Sequence, residues 1–324
     1  MSGHLALVVD RAGATLETGT HETLVLTHAD GRRERIGLRA LGSVLLHGDV
    51  QLSTSVLQAL AAHGVPFTTL PKRGRAPAVG VAHLPHRHVR RRHQQHLAYA
   101  DPEQRLDLAR RVVCAKLESM AECARQQTQE LEDAFYRAMH TATQAPDFAA
   151  LMGVEGAATV KHFGALETRY ARTGPFAFHG RSRRPPRDPV NALMSLAYTL
   201  AQGQATPLAI KAGLDVQIGF LHALHPNRES LALDLLEPAR AVLDDWVHDL
   251  LVRQALLKPA QFTHSPTDGV RLDAEGRAAF YAAWYREGHR LALKPMQRLL
   301  AQLLEALGEA GPDDAHPEDV SEAA

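Results

Sequence analysis

Two carboxylates and a histidine lie close together in the stretch Gly219–Arg240, which reads GFLHALHPNRESLALDLLEPAR. Ser230 can accept a hydrogen bond from a free backbone N–H and therefore predicts the start of a helix. Asp234 and Glu237 follow three residues apart on one face of that helix, where like charges repel each other. A divalent cation would relieve this repulsion, and His222 would supply a nitrogen ligand.

The same stretch allows a simpler interpretation, in which no metal is needed. An arginine would pair with the carboxylates, and the histidine would be a packed core residue. The candidate arginines are Arg228 and Arg240.

A further candidate carboxylate, Glu155, lies in the stretch 151–166, LMGVEGAATVKHFGAL. Its small neighbours let another backbone or a ligand approach closely. The alternative is that Glu155 only interacts with the dipole at the start of a helix. Together, Glu155, His222 and Glu237 form a set of two carboxylates and one imidazole. Such a set suits Mg²⁺ or Mn²⁺, and the imidazole favours Mn²⁺ somewhat.

These stretches belong to a series of motifs that follow one another along the chain. The motifs are VEGAA at 154–158, HFGAL at 162–166, RSRRPPRDPVNALMSLAYTL at 181–200 and LALDLLEPAR at 231–240. In this order they resemble the CRISPR adaptation integrase family, CRISPR-associated protein one. The resemblance runs from about residue 5 to about residue 300, and the stretch 41–70 looks like the β-domain of that family.

The resemblance implies that Glu155, His222 and Glu237 are the catalytic metal ligands and that the metal is Mg²⁺ or Mn²⁺. Asp234 would orient His222 or a nearby water. The chain departs from the family at three positions. The family often has arginine where this chain has Met152, tyrosine where it has His162, and an aromatic or larger apolar residue where it has Ala239.

The resemblance also implies an enzyme, a metal-dependent DNA endonuclease and integrase of CRISPR antiviral defence. A spacer 3′-hydroxyl would attack a phosphodiester at the edge of a CRISPR repeat. The implied partners are double-stranded DNA (spacer duplex and CRISPR repeat), a second copy in a homodimer, and a small companion subunit, CRISPR-associated protein two. Two alternatives are a non-catalytic DNA-binding module of the adaptation complex and a structural helical scaffold that binds neither metal nor DNA.

The elements that must position these residues change type along the chain. Short apolar runs between turn residues predict an α+β fold, in which a small β-rich N-terminal domain (1–84) precedes a larger all-α domain. The resemblance assigns dimerisation to the first and catalysis to the second, 94–307. A basic hinge at 85–93 joins them, and the acidic tail at 308–324 is expected to be disordered.

The helical domain is predicted to contain several breaks. One helix begins at Asp101-Pro102 and continues toward Arg137, and a separate short helix opens at Thr206-Pro207. The residues 169–187 form a long polar loop, and the helix that starts at Ser230 is predicted to end near Leu257.

Arginines crowd the basic hinge and the long polar loop. Each segment is either a solvated linker or a surface that contacts DNA phosphates, and the resemblance favours the second interpretation. The candidate DNA-binding residues are Arg87, Arg90, Arg91, Arg183 and Arg184.

Composition limits the remaining possibilities. The chain has 36 Lys and Arg against 36 Asp and Glu, so bulk charge alone would not hold a nucleic acid. Cys114 and Cys123 lie nine residues apart in a helical stretch, which predicts reduced thiols in a cytoplasmic protein. The N-terminus does not have the pattern of a signal peptide, and no apolar run approaches the roughly 20 residues of a membrane span.

Overall fold

In the computed structural model, a β-rich N-terminal region precedes a helical region, which confirms the predicted α+β fold class. The structure describes residues 5–10, 13–70, 79–81 and 88–308. The predicted disorder of the tail, apart from Gly308, and the role predicted for Arg87 lie outside the described residues. None of the helices in these ranges is both long and apolar enough to cross a membrane.

The strands of the described residues form two four-stranded sheets and one two-stranded hairpin. They are β1 (Leu5–Val9), β2 (Ala14–Thr18), β3 (Thr23–Thr27), β4 (Arg33–Gly37), β5 (Leu41–His47), β6 (Val50–Leu52), β7 (Phe67–Leu70), β8 (Val79–Val81), β9 (Phe262–Ser265) and β10 (Gly269–Leu272). One sheet has the order β1-β5-β7-β8, and the other has the order β4-β3-β2-β6. A buried apolar cluster, which includes Leu16, Leu24 and Val56, forms the core beneath them.

The α-helices of the described residues are α1 (Thr54–Ala62), α2 (Val89–Ala100), α3 (Pro102–Ala124), α4 (Gln129–Thr143), α5 (Phe148–Thr173), α6 (Pro189–Lys211), α7 (Ser230–His248), α8 (Ala274–Ala283) and α9 (His289–Leu307). Three of them, α3, α5 and α7, carry most of the candidate site. Asp101 caps α3 as expected, because its side chain accepts from the backbone N–H groups of Glu103 and Gln104. The cysteines are free thiols, as predicted.

Four predicted boundaries were wrong. The helix that starts at Pro102 ends at Ala124, and a new one begins after Thr128, whose hydroxyl accepts from Leu131 N–H. Pro207 lies inside α6 rather than opening a helix. After His248 the chain continues as a π-helical turn to Arg253, so no helix runs to Leu257, and α5 extends to Thr173 before the polar loop begins. The hairpin β9–β10 is an addition that the apolar pattern did not indicate.

The chain divides into two compact units, and each unit is assembled from separate segments. The first unit comprises the described residues of Met1–Leu84, Tyr170–Pro207 and Val247–His289. The second comprises the described residues of Pro85–Arg169, Leu208–Trp246 and Arg290–Ala324. The domain limits predicted from the sequence, 1–84, 85–93, 94–307 and 308–324, stay a prediction.

Candidate active site

The second unit brings the predicted site residues together on two helices and one loop. Glu155 lies on α5, Asp234 and Glu237 lie on α7, and His222 lies in the loop before α7. Fully buried leucines of the same helices, such as Leu151 and Leu235, fix which helix faces turn inward. The cluster is therefore a set of ionisable groups inside an otherwise apolar helical core.

Asp234 is the residue that organises the loop before α7. This fully buried carboxylate accepts hydrogen bonds from the backbone N–H groups of Phe220, Leu221 and His222, at 2.5, 3.0 and 3.0 Å. It also accepts a hydrogen bond from His222 Nδ1 at 2.6 Å. Because a carboxylate can only accept, Nδ1 carries a proton, and Nε2 is the nitrogen left for a ligand. This Nε2 lies 3.9 Å from Oε1 of Glu237.

The tight approach of this loop to α7 depends on Gly219. A Cβ at this position would lie 2.6 Å from the backbone carbon of Ser230 and 2.9 Å from a carboxylate oxygen of Asp234. Any larger residue would push the loop away, and the hydrogen bonds to Asp234 would lengthen. The apolar run that includes Gly219 thus lets the loop approach α7 closely, whereas His222 supplies the candidate ligand.

The two other carboxylates share a cation that sequence reasoning missed. Nζ of Lys116, on α3, contacts Oε1 of Glu155 and lies 2.8 Å from Oε2 of Glu237. Thr159 Oγ1 donates to the same Oε1 of Glu155 at 3.0 Å. Arg240 Nε donates to Oε1 of Glu237 at 2.8 Å, so one of the two arginines that were considered does pair with a carboxylate. The only indication of Lys116 in the sequence is that a charged residue stands among the apolar residues of a helical stretch.

These cations set the ionisation of Glu237. Burial by itself raises the pKa of this carboxyl group, but the nearby charges of Arg240, Lys116 and His222 lower it by more. The net effect holds the pKa of Glu237 well below its usual range. Glu237 is therefore ionised at neutral pH and can act as a ligand for a cation.

The chemistry of this donor set fits Mg²⁺ or Mn²⁺. Two carboxylates converge on one positive charge, the ammonium group of Lys116, and Nε2 of His222 lies 3.9 Å from Oε1 of Glu237. Within the described ranges, no three or more His, Cys, Asp or Glu side chains are grouped as metal ligands, and Lys116 pairs with both Glu155 and Glu237. The assignment of Glu155, His222 and Glu237 as ligands stays a prediction.

His162, which stands where the family often has tyrosine, has a partner of its own. Its Nε2 lies 2.9 Å from Oδ2 of Asp244, and both residues are buried. The pair joins α5 to α7 seven residues after Glu237. Sequence reasoning did not single out Asp244, because its only signal is a carboxylate two helical turns beyond a candidate ligand.

The candidate DNA-binding arginines fall into different environments. Arg90 is exposed, whereas Arg91 is half-buried and donates from Nη1 to the carbonyl oxygen of Ala212 at 2.7 Å. Arg183 and Arg184 are exposed on the loop before α6, in the first unit. Their contacts with DNA stay a prediction.

Ionisable side chains with shifted pKa values cluster at functional sites, and the sequence comparison places this chain in a family. Residues 7–286 match the family model described as CRISPR associated protein Cas1. The chain is 32% identical over 286 residues to CRISPR-associated endonuclease Cas1 2 of Rhodospirillum rubrum, which covers 81% of this chain and 80% of that one. It is 36% identical over 248 residues to CRISPR-associated endonuclease Cas1 3 of Thermus thermophilus, with coverages of 76% and 73%. The chain belongs to the Cas1 family.

Solved structures share the fold. A CAS1 protein from Thermotoga maritima superposes with a TM-score of 0.81 at 22% identity, covering 94% of this chain and 98% of that one. A casposase bound to its integration product superposes with a TM-score of 0.77 at 16% identity, with coverages of 98% and 96%.

Proposed function

We propose that the protein is a DNA nuclease and integrase of CRISPR adaptation and that it depends on Mg²⁺ or Mn²⁺. The observation that carries this proposal is the convergence of Glu155 and Glu237 on one positive charge, with Nε2 of His222 3.9 Å from Glu237. The relatives named above are endonucleases by name, and the casposase neighbour is bound to an integration product. We also propose that it acts in the cytoplasm, on the DNA that carries the CRISPR repeats.

The proposed reaction exchanges one phosphodiester for another. The oxygen of a spacer 3′-hydroxyl forms a bond to the phosphorus at the edge of a repeat, while the bond from that phosphorus to the 3′-oxygen of the flanking strand breaks. The proton lost by the attacking hydroxyl is balanced by the proton that the leaving oxygen gains, so no ATP is needed. If water attacks the same phosphorus instead, the strand is cleaved, which is the endonuclease reaction.

The residues of the site have distinct parts in this proposal. Glu155, His222 Nε2 and Glu237 would hold a divalent cation, which polarises the phosphate and lowers the pKa of the attacking hydroxyl when it is bound. Asp234 keeps the proton on Nδ1 of His222, so that Nε2 stays available as a ligand. Lys116 and Arg240 balance the charge of the two carboxylates when no metal is bound.

The partners are proposed on the same basis. Double-stranded DNA, a second copy of the chain and the small companion subunit are expected. Among the fold neighbours, a Cas6-RT-Cas1–Cas2 complex has a TM-score of 0.70 at 20% identity, and a TtCas1–DNA complex has a TM-score of 0.64 at 15% identity. A non-catalytic DNA-binding module is the second candidate, because Lys116 and Arg240 already neutralise the carboxylates without a metal.

Strand transfer into a supercoiled plasmid that carries a repeat tests the proposal. A labelled 3′-hydroxyl duplex and the companion subunit are incubated with native protein, with Glu155→Gln or with His222→Asn, in Mn²⁺ or in EDTA. We expect joining by the native protein only with the metal, and a loss of at least about 100-fold in both variants. Glu130→Gln, an exposed acid in the first turn of α4, is the matched control and should keep full activity.

A duplex that ends in a 3′-deoxynucleotide separates joining from cleavage. Joining must disappear with this substrate, whereas nicking by water can continue. Equal activity of the native protein, Glu155→Gln and His222→Asn would refute the site. DNA binding by all of them without any reaction would favour the binding module.

A further inference from the structure

A single amide side chain fixes the base of the loop before α6. Asn191 is fully buried, and its Nδ2 donates to the carbonyl oxygen of Gly180 at 3.0 Å and to Oδ2 of Asp188 at 2.7 Å. Its Oδ1 accepts from the backbone N–H of Ser182 at 2.9 Å and from Nη1 of Arg181 at 2.8 Å. All of the hydrogen-bonding capacity of the amide is therefore spent on residues 180–188, which we call the basic loop.

The hairpin β9–β10 holds the middle of the basic loop. Val270 N–H donates to the carbonyl oxygen of Pro186 at 2.9 Å. Gly269 has a φ of +74°, and a Cβ there would overlap that same oxygen. Within the loop, Arg187 N–H donates to Ser182 Oγ at 3.0 Å. The backbone of the basic loop is thus tied down at its start, its middle and its end.

The arginines of the basic loop divide into one internal residue and three external ones. Arg181 points inward, where Nη2 donates to Ser195 Oγ at 3.0 Å and the guanidinium group lies 5.4 Å from the ring centre of Tyr198. The external arginines lie toward solvent, and the structure gives their guanidinium groups no acidic partner among the described residues. They are Arg183, Arg184 and Arg187.

We propose that Asn191 is a positioning residue that holds these three arginines as a preformed surface for the phosphates of duplex DNA. The inference rests on the proposed function; it adds Arg187 to the candidate DNA-binding residues and gives Asn191 a positioning role. A loop that is already ordered does not lose its backbone freedom on binding, so more of the electrostatic attraction remains as affinity. Three separate guanidinium groups suit a row of phosphates better than one small anion. Because the chain has no net charge, such a local surface is needed.

The first experiment tests the surface. Binding of a fluorescent duplex is measured by anisotropy at several KCl concentrations for the native full-length protein and for the triple variant Arg183→Ala, Arg184→Ala, Arg187→Ala. We expect the triple variant to bind at least roughly tenfold more weakly and to show a smaller salt slope, by about 0.9 for each phosphate that an arginine no longer neutralises. The charge-matched control replaces three arginines of the second unit by alanine. These are Arg125, Arg137 and Arg290. We expect the salt dependence of DNA binding by this control to stay closer to that of the native protein.

The second experiment tests the positioning role of Asn191. Asn191→Asp keeps the shape of the side chain, removes its two N–H donors and places a second carboxylate beside Asp188. We expect faster hydrogen–deuterium exchange of the amides of Ser182 and Val270, weaker DNA binding, and little further loss when the three arginine substitutions are added. If Asn191→Asp does not fold, Gly269→Ala disturbs the same loop from the hairpin.

The outcomes separate the inference from the proposed function. If the native protein does not bind duplex DNA, the proposed function itself fails. If the native protein binds but the triple variant binds equally well, the arginine surface is wrong. If the exchange at Ser182 becomes faster while DNA affinity stays the same, and the triple variant is weak, the arginines bind DNA without the help of Asn191, and its positioning role is wrong.

Discussion

Charged side chains have opposite surroundings in the buried carboxylate–imidazole cluster and in the basic loop. In the cluster, Lys116 and Arg240 each lie 2.8 Å from an oxygen of Glu237, and Lys116 also contacts Glu155. In the loop, Arg184 and its exposed neighbours have no acidic partner among the described residues. An unpaired charge is costly in a protein interior but stays hydrated at the surface. The charges of the cluster are therefore compensated by one another, whereas those of the loop remain available for a partner.

The basic loop repeats this contrast on a smaller scale. Arg181 and Arg184 are three residues apart and belong to the same basic run. Arg181 donates to Asn191 and Ser195, while Arg184 is exposed. Residue type alone does not distinguish an arginine that stabilises the loop from an arginine that is exposed to a partner. The neighbours of each arginine decide its role.

The largest effect is expected on removing Lys116. Lys116→Met leaves two buried carboxylates without their shared cation, which should lower the free energy of unfolding by about 3–5 kcal/mol in EDTA. Urea unfolding followed by circular dichroism measures this loss. The control is Lys161→Met, an exposed lysine of α5, for which we expect a change within about 0.5 kcal/mol.

Two further substitutions sharpen the interpretation of Lys116. Adding Glu155→Gln and Glu237→Gln to Lys116→Met removes the charges that had lost their partner, so part of the stability should return. The free energy of unfolding of this combined variant could instead fall below that of Lys116→Met by the sum of the losses that Glu155→Gln and Glu237→Gln cause separately. Lys116 would then not stabilise the protein by pairing with these two carboxylates.

The second largest effect is expected from acid, which should reduce the contribution of the cluster to the free energy of unfolding. The pKa of Glu237 is lower in the folded protein than its ordinary value of 4.5, so the ionised form stabilises the fold. This contribution is fully present above about pH 4.5 and is lost as the pH falls below that value. In EDTA, the stability of the native protein should therefore fall more steeply between about pH 5 and pH 3 than that of Glu237→Gln. Parallel curves for the two proteins would contradict the paired state of Glu237.

The smallest effects are expected in the basic loop. Arg181→Ala should lower the free energy of unfolding by about 2 kcal/mol, because it leaves the Oδ1 atom of Asn191 and the hydroxyl of Ser195 short of a donor. Arg184→Ala should change it by less than about 0.5 kcal/mol. Thermal melts of the two variants check the difference. Equal losses would mean that Arg184 is as structural as Arg181.

The sequence predicted the residues whose signal is local or shared with the family. The spacing of Asp234 and Glu237, the helix start near Ser230 and the motif around Glu155 each lie within a short stretch. The predicted capping role of Ser230 was wrong, because Ser230 is the first residue of α7 and its hydroxyl donates to the carbonyl oxygen of Ala223 at 3.0 Å. The structure places Glu155 and Glu237 on the same lysine and His222 Nε2 3.9 Å from Glu237, and their role as metal ligands stays a prediction. The fold class follows from short apolar runs early in the chain and helical periodicity later.

What the sequence did not predict depends on contacts between distant elements. Lys116 precedes Glu155 by 39 residues and lies on another helix, so only the packed structure shows their contact. The pairing of His162 with Asp244 spans 82 residues. Pro207 was predicted to open a helix because proline favours a first turn, but α6 continues through it between the buried residues Ala205 and Ala209. Tertiary packing outweighs the local preference there.

The most direct test of the central claim is the binding of Mn²⁺ to the native protein, measured by isothermal titration calorimetry beside Glu155→Gln, Glu237→Gln and the control Glu130→Gln. A site made of Glu155, His222 and Glu237 predicts about one Mn²⁺ per chain in the native protein and in the control, and binding at least roughly tenfold weaker in the other two variants. Unchanged affinity in both Glu155→Gln and Glu237→Gln would contradict the account, because the carboxylates would then serve only to pair with Lys116 and Arg240.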